Sequence, residues 1–221
     1  MGIFRAIPTL AQELRGWRQG FRHIAGVDEA GRGPMAGPVV AAAVVLDPQF
    51  SASWWSELRD SKVLTARQRQ RLAESLRENA GFGIGRADHN EIDSKGLVPS
   101  TQRAMQRALE ALPSRPDLIL VDALDLPDVV EEQRSIIHGD ALCISIAAAS
   151  ILAKVDRDQI METYDTEYPQ YGFGHNRGYC TRYHLQALTD HGPCPIHRRS
   201  FAPVRSYLEG RQTSMFDQAQ A

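Results

Sequence analysis

The sequence predicts an α/β fold: a sheet built around an initial hairpin, with a helical portion closing the chain. Three observations carry that expectation. The short apolar run Ile24–Val27 is followed, after a Gly/Pro-rich stretch, by the uncharged and β-branched segment Val39–Leu46, which reads as two strands joined by a turn. Segments with helical character at 65–79, 99–112 and 145–164 then alternate with strand-like runs at 82–87 and 117–122. Thr181 caps a last helix that ends at Gly192.

The elements are justified in chain order. Residues 8–20 read as a short amphipathic helix. Ile24–Val27 ends in Asp28-Glu29, and the next nine residues, 30–38, hold Gly31, Gly33, Gly37, Pro34 and Pro38. Those residue types demand turns and withhold ladder donors, so the first strand is expected to stop at the acids. Thr65-Ala-Arg-Gln68 is a capping box that opens a helix to about Asn79. Gly81, Gly83 and Gly85 punctuate the strand near Phe82–Ala87. The helix from Pro99 to Leu112 sets Met105, Ala108 and Leu109 on one face, with Pro113 as its stop. Asp117–Asp122 is a short buried strand that again ends in an acid. The helix from Ser145 carries Ala147, Ala148, Ile151, Leu152 and Val155, small or aliphatic side chains that pack closely on a sheet.

Composition excludes several classes. Of 221 residues, 43% are hydrophobic and 24% charged, which is ordinary for a globular chain and unlike a disordered or fibrous one. Every apolar run is broken by Arg or Asp well short of a membrane span. The N-terminus, with Arg5, Glu13, Arg15 and Arg18, has no secretory leader pattern. Cys143, Cys180 and Cys194 are odd in number and form no C-x-x-C pair, so reduced thiols in a cytoplasm are expected. The formal charge of −2 is unevenly spread. Residues 114–140 hold two Arg against seven acids, and residues 171–211 hold six Arg against two. That division suits a protein that holds a divalent metal beside a phosphate backbone, although charge alone reads first as ordinary surface.

The acids carry the chemistry. Asp28-Glu29 and Asp122 end strands, and Asp140 precedes a long helix. Carboxylates at buried strand ends raise each other's pKa and cost stability, a penalty that a divalent cation reverses. Neighbours on a regular strand point to opposite faces, so Asp28 and Glu29 share a site only where the strand stops. Taken singly, each acid reads as a surface or capping residue. Two other readings start from nearby residues. Gly31-x-Gly33-x-x-Ala36 matches a dinucleotide fingerprint, but that motif must open a helix, and a strand-like run follows it here. Cys180, His184, Cys194 and His197 offer a zinc set at a spacing that fits no familiar finger.

In order along the chain stand Val27-Asp-Glu-Ala-Gly-Arg-Gly-Pro34, Gly37-Pro-Val39, Asp60-Ser-Lys62, Glu91-Ile-Asp93, Val121-Asp122 and Gly139-Asp140. After these come Ser145-Ile-Ala-Ala-Ala-Ser-Ile-Leu-Ala-Lys154, Tyr171-Gly-Phe173, Arg177-Gly-Tyr179 and His197-Arg-Arg-Ser-Phe201. From about Ile24 to Val204 the chain resembles the ribonuclease HII family. The resemblance implies an RNase H-like mixed sheet flanked by helices, with a C-terminal helical extension. It implies an endonuclease that cuts the RNA strand of RNA/DNA hybrids and cuts 5′ of single ribonucleotides embedded in duplex DNA, leaving 5′-phosphate and 3′-hydroxyl ends. Two Mg²⁺ or Mn²⁺ ions would be held by Asp28, Glu29, Asp122 and Asp140. Gly31, Arg32, Gly33 and Tyr179 would read the 2′-hydroxyl, and Lys62, Lys154 and Arg177 would contact phosphates. Asp as the fourth acid and the short lead resemble this family more than its HIII sister.

Two departures stand out. The family's usual Gly-Asn after the third acid is Ala123-Leu124 here, and its His-Lys before Gly-Tyr is Asn176-Arg177. The expected division is a helical lead at 1–22, a catalytic domain at 23–208 with its helical portion from about 165, and a flexible tail at 209–221; a monomer is expected. In that tail Gln212-Thr-Ser-Met-Phe216 resembles the short peptide with which replication proteins bind a sliding clamp, through Gln212, Met215 and Phe216. A plain polar end is the alternative reading.

Overall fold

The computed structural model describes residues 7–47 and 53–210. Its elements are α1 (Ala11–Arg18), β1 (Ile24–Ala30), β2 (Val39–Val45), α2 (Ala66–Asn79), β3 (Gly81–Ala87), α3 (His89–Lys95) and α4 (Leu97–Glu110). They continue with β4 (Leu118–Asp122), β5 (Glu132–Ile136), α5 (Gly139–Leu142), α6 (Ile144–Glu167), α7 (Phe173–Asn176), α8 (Arg182–His191) and α9 (Ala202–Leu208). None of the described helices is long and apolar enough to cross a membrane.

The strands form one sheet in the order β3-β2-β1-β4-β5. β1 pairs antiparallel with β2 and parallel with β4, and β4 pairs parallel with β5, so the sheet is mixed. β1, β2 and β4 are apolar on both faces because both faces are covered. One cluster joins Ala42 and Val44 of β2 to Leu72, Ala73 and Leu76 of α2 and Ala147, Ala148, Ile151 and Leu152 of α6. A second joins Ile24, Leu118 and Leu120 to Cys143 and Ile146, with Trp17 and Phe21 packed against it. A Cβ at Gly26 would overlap the Ser145–Ile146 backbone, so glycine lets β1 lie directly against the first turn of α6. That turn is capped from another element: Ser145 N and Oγ donate to Glu13 Oε1 of α1 at 2.9 and 2.7 Å.

The chain divides into two compact units. The first comprises the described residues up to Ala30, Val40–Arg86 and Thr101–Asp156; the second comprises Gly31–Val39, Ala87–Ser100 and the described residues from Arg157 onward. The second unit has its own cores, one of Ala36, Met161, Tyr171, Phe173, Ala187 and Ile196, another of Met35, Leu188 and Val204. Its loop 31–39 is bonded in place, with Met35 N donating to the Gly178 carbonyl and Gly37 N to the Ile196 carbonyl, both at 2.9 Å.

Two expectations need correcting. β1 does not stop at the acids; it runs through both to Ala30, with Asp28 opposite Ala42 and Glu29 opposite Ala41. The antiparallel partner β2 is long enough to keep pairing, and the turn begins only at Gly31. The fourth helix begins at Leu97 rather than Pro99, since a first-turn proline loses no intrahelical bond.

Candidate functional site

The acids of the first unit are placed by the sheet. In the parallel pairing of β1 with β4, Val27 is level with Val121. Asp28 and Asp122 are therefore the next residues on adjoining strands, at the carboxyl end where parallel sheets bind ligands. Asp122 Oδ1 accepts from the Gly139 amide at 2.7 Å, so the end of β4 is tied to the start of α5, whose second residue is Asp140. Lys62 Nζ lies 3.5 Å from Asp140 Oδ2 and 3.9 Å from Asp60. Asp28 Oδ1 accepts from the Glu29 amide at 2.7 Å. It also bonds Ser150 of α6, whose hydroxyl lies 3.0 Å from Ser61 Oγ.

Burial is the main force on these carboxyls. It pushes Asp28 well above the ordinary carboxylate range; the charges of Glu29 and Asp122 add to it, and the Ser150 and Glu29 bonds oppose it. Asp122 is also raised by burial and by Asp140, against the pull of the Gly139 amide and of Lys62. Hard, partly buried oxygens that repel one another make up the donor set a divalent cation fits. The acids form a linked series: Asp28 feels Glu29 and Asp122, and Asp122 feels Asp140. Among the described residues no three His, Cys, Asp or Glu side chains stand as a closed ligand set.

The second unit holds the glycine loop and Tyr179. Gly31 has φ +98°, and a Cβ there would overlap Arg157 Nε and Cδ, so this glycine is required inside the unit. Gly33 is different. A Cβ built on it would meet only Tyr179 Cε1, at an ordinary 3.5 Å. Gly33 and the half-exposed Tyr179 thus face each other across a narrow space. Lys62 is largely exposed, and Lys154 is half-buried on α6. Arg177 Nη2 donates to Glu162 at 2.8 Å and Nη1 to the Asp158 carbonyl at 3.1 Å. Asn176 serves the turn, donating to the Tyr171 carbonyl and accepting from the Gly178 amide.

The two rival readings fail on geometry. The Gly31–Ala36 pattern leads into β2, not a helix. In the zinc set, Cys180 is exposed and the other three are committed to one another. Cys194 N donates to His197 Nδ1 (3.0 Å), His197 Nε2 donates to His184 Nε2 (3.0 Å), and His184 Nδ1 donates to the Tyr179 carbonyl (2.9 Å). This assignment uses both ring lone pairs. Burial lowers both imidazoles, His197 to about 4, and keeps the pair neutral. Sequence reasoning missed Ser150, Asp93, Arg157 and Arg198 as working residues. The blocks that hold Asp93, Ser150 and Arg198 were visible and Arg157 lies just past the one that ends at Lys154, but nothing in a sequence marks which arginine turns inward. Residues 212–216 lie outside the described residues.

The family model described as ribonuclease HII matches residues 25–204. The chain belongs to the ribonuclease HII family. A ribonuclease HII of Desulfitobacterium hafniense is 52% identical over 201 residues, covering 90% of this chain and 76% of that one. One from Dehalococcoides mccartyi is 47% identical over 203 residues, covering 91% and 96%. Among solved structures, ribonuclease H2 from Pyrococcus horikoshii aligns with a TM-score of 0.72 at 27% identity, covering 86% of this chain and 99% of that one. The RNase HII of Archaeoglobus fulgidus, solved with PCNA, aligns at 0.66 and 23% identity, covering 81% and 95%, and shares the fold. The chain is accordingly an endonuclease of the ribonuclease H class with an RNase H-like mixed sheet, from a divalent-metal-dependent family. Cleavage at ribonucleotides within DNA, through two metal ions, is typical of that family.

Proposed function

We propose that Asp28, Glu29, Asp122 and Asp140 hold two Mg²⁺ or Mn²⁺ ions and are the catalytic acids of this chain. The observation that carries the reading is the side-by-side placement of Asp28 and Asp122 on parallel strands, with the Gly139 amide bringing Asp140 alongside. Bound there, such ions supply an activated water and offset the charge that grows on the phosphate. Asp28 and Asp122 are held ready for them by Ser150 and the Gly139 amide. The Arg32 and Gly33 amides, beginning three residues beyond Glu29 in the chain, take the ribose 2′-hydroxyl together with Tyr179, while Lys62, Lys154 and Arg177 meet phosphates. Arg177 must first leave Glu162 to do so. Residues 23–208 act as the catalytic domain, as a monomer in the cytoplasm; the three unpaired cysteines support that setting.

The test is cleavage of a duplex with one embedded ribonucleotide, with products mapped. Native protein with Mg²⁺ or Mn²⁺ cuts 5′ of the ribonucleotide; chelation or Asp122→Asn lowers the rate by several orders of magnitude. Metal-independent cleavage would falsify the assignment. For the tail, we propose that Gln212, Met215 and Phe216 bind the replication clamp. Support comes from the apolar pair in a polar segment and from the clamp-bound Archaeoglobus relative. Clamp binding that survives deletion of 212–216 removes that part alone.

A further inference from the structure

Two arginines of the second unit are buried and spend their donors on main-chain carbonyls. Arg157 of α6 is 1% exposed, and Arg198, ahead of α9, is 0% exposed. Burial lowers their guanidinium pKa values to about 10 and about 9, which leaves both cationic at neutral pH. Arg198 Nη2 donates to the Gly31 carbonyl (2.6 Å), Nη1 to that of Arg32 (2.9 Å) and Nε to that of Gly37 (2.9 Å). Arg157 Nε donates to the carbonyl of Pro38 (3.0 Å), Nη2 to that of Ala36 (3.2 Å) and Nη1 to that of Arg177 (2.9 Å). Five of these six acceptors lie in residues 31–38. Burying a cation is costly, and apolar side chains of similar volume would stabilise the unit at least as well.

The consequence is stereochemical. The described backbone has no cis peptide, and in a trans peptide unit the C=O and N–H point in opposite directions. Since the Gly31 and Arg32 carbonyls converge on one guanidinium, the N–H groups of Arg32 and Gly33 are both directed away from it. Successive amides facing one way form a concave donor pair. The cation behind them polarises both peptide units and strengthens their donation.

We propose that Arg198 is a positioning residue for ribose recognition, aiming and polarising the Arg32 and Gly33 amides that take the 2′-hydroxyl. The proposal rests on the reading above that this loop meets that hydroxyl. Arg198 touches no substrate and acts through the loop. It is itself placed by Asp93, whose carboxylate accepts from Arg199 N (2.8 Å), Ser200 N (2.9 Å) and Ser200 Oγ (2.6 Å). Arg157 secures the other end of the loop and ties it to Arg177, two residues before Tyr179.

The experiment compares native protein, Arg198→Lys and Asp93→Asn. It measures kcat/KM on a duplex with one ribonucleotide and the inhibition constant of the same duplex made wholly of DNA. Lysine keeps the charge but cannot fork to three carbonyls. In Arg198→Lys, kcat/KM is expected to fall on the order of 10–100-fold, as misplaced recognition groups do, with a smaller fall in Asp93→Asn. The all-DNA inhibition constant, set by phosphate contacts, should hold within about twofold. If folded variants keep the native ratio of the two quantities, whether neither moves or both move together, the proposal is overturned. Should Arg198→Lys fail to fold, Asp93→Asn decides by the same ratio. Native protein that binds the ribonucleotide and all-DNA duplexes equally defeats the hydroxyl reading itself, and the role of Arg198 with it.

Discussion

Ala123 follows Asp122 with φ +51°, a left-handed conformation that glycine adopts freely and alanine does not. A glycine, the family's usual residue at this place, would suit it: the chain bends directly after the terminal acid of β4 while the Ala123 amide still donates to the Ile136 carbonyl at 3.2 Å. This chain makes the same turn with an alanine. Ala123→Gly is expected to raise unfolding stability by about 1 kcal/mol, read as a higher urea midpoint at unchanged slope; a lower midpoint would show that the strain lies elsewhere. The loop glycines separate by the same logic. Gly31→Ala should destabilise by about 3 kcal/mol or more, through its positive φ and the overlap with Arg157. Gly33→Ala should melt within a few degrees of native yet lose cleavage at a ribonucleotide, because its methyl occupies the space facing Tyr179. Equal thermal losses in the two variants would contradict the assignment. The motif was legible at both glycines, but their different jobs were not, since Arg157 sits 126 positions after Gly31 in the numbering and lies beside Asp156 and Asp158 in the charged half of α6, where it reads as one more surface arginine.

Elements were legible where local chemistry agreed with the fold. The Thr65–Gln68 capping box opens α2 as expected, and the apolar run 118–121 and the small-residue face of α6 are where the pattern put them. β5 escaped because Glu132-Gln-Arg-Ser-Ile136 is an edge strand made of polar residues, the composition that keeps an edge from pairing further. The extension of β1 through its acids escaped because pairing with β2 overrides the local wish to turn. The contact between α1 and α6 was also invisible, since only folding brings Glu13 to Ser145. Burial raises the Glu13 carboxyl above the usual range, with the two Ser145 bonds opposing. A folded pKa above the unfolded one means that the stabilisation is complete below the unfolded value, near 4.5. It is lost as pH rises through the folded value. Glu13→Gln keeps an acceptor for Ser145 and carries no charge. Relative to native, it should therefore gain stability as pH rises above 4.5 and level off once pH passes the folded value, followed by denaturant unfolding; a pH-independent difference would mean that folding does not shift the Glu13 carboxyl.

At the scale of the whole molecule, the acids proposed as catalytic stand at the end of a sheet, where they work against folding until something neutralises them. Asp28 is only 4% exposed, and it is raised by burial, by Glu29 and by Asp122. Uncompensated charge of this kind is a stability cost retained for function. In chelator, Asp28→Asn should therefore melt above native by roughly 2–4 °C for each 1 kcal/mol relieved, the scaling for a chain of this size, although it cannot cleave. Adding Mg²⁺ or Mn²⁺ should reverse the order. A ligand that binds only the folded state stabilises it by about 2.7 kcal/mol at a hundredfold excess over its Kd, and on the proposed assignment the variant has lost one of the oxygens that hold it. Ionic strength matched with monovalent salt separates this from screening. The crossing of the two melting temperatures on metal addition is the signature. If Asp28→Asn melts below native in chelator, Asp28 is not the strained group; if it gains as much as native from the metal, Asp28 is not a ligand.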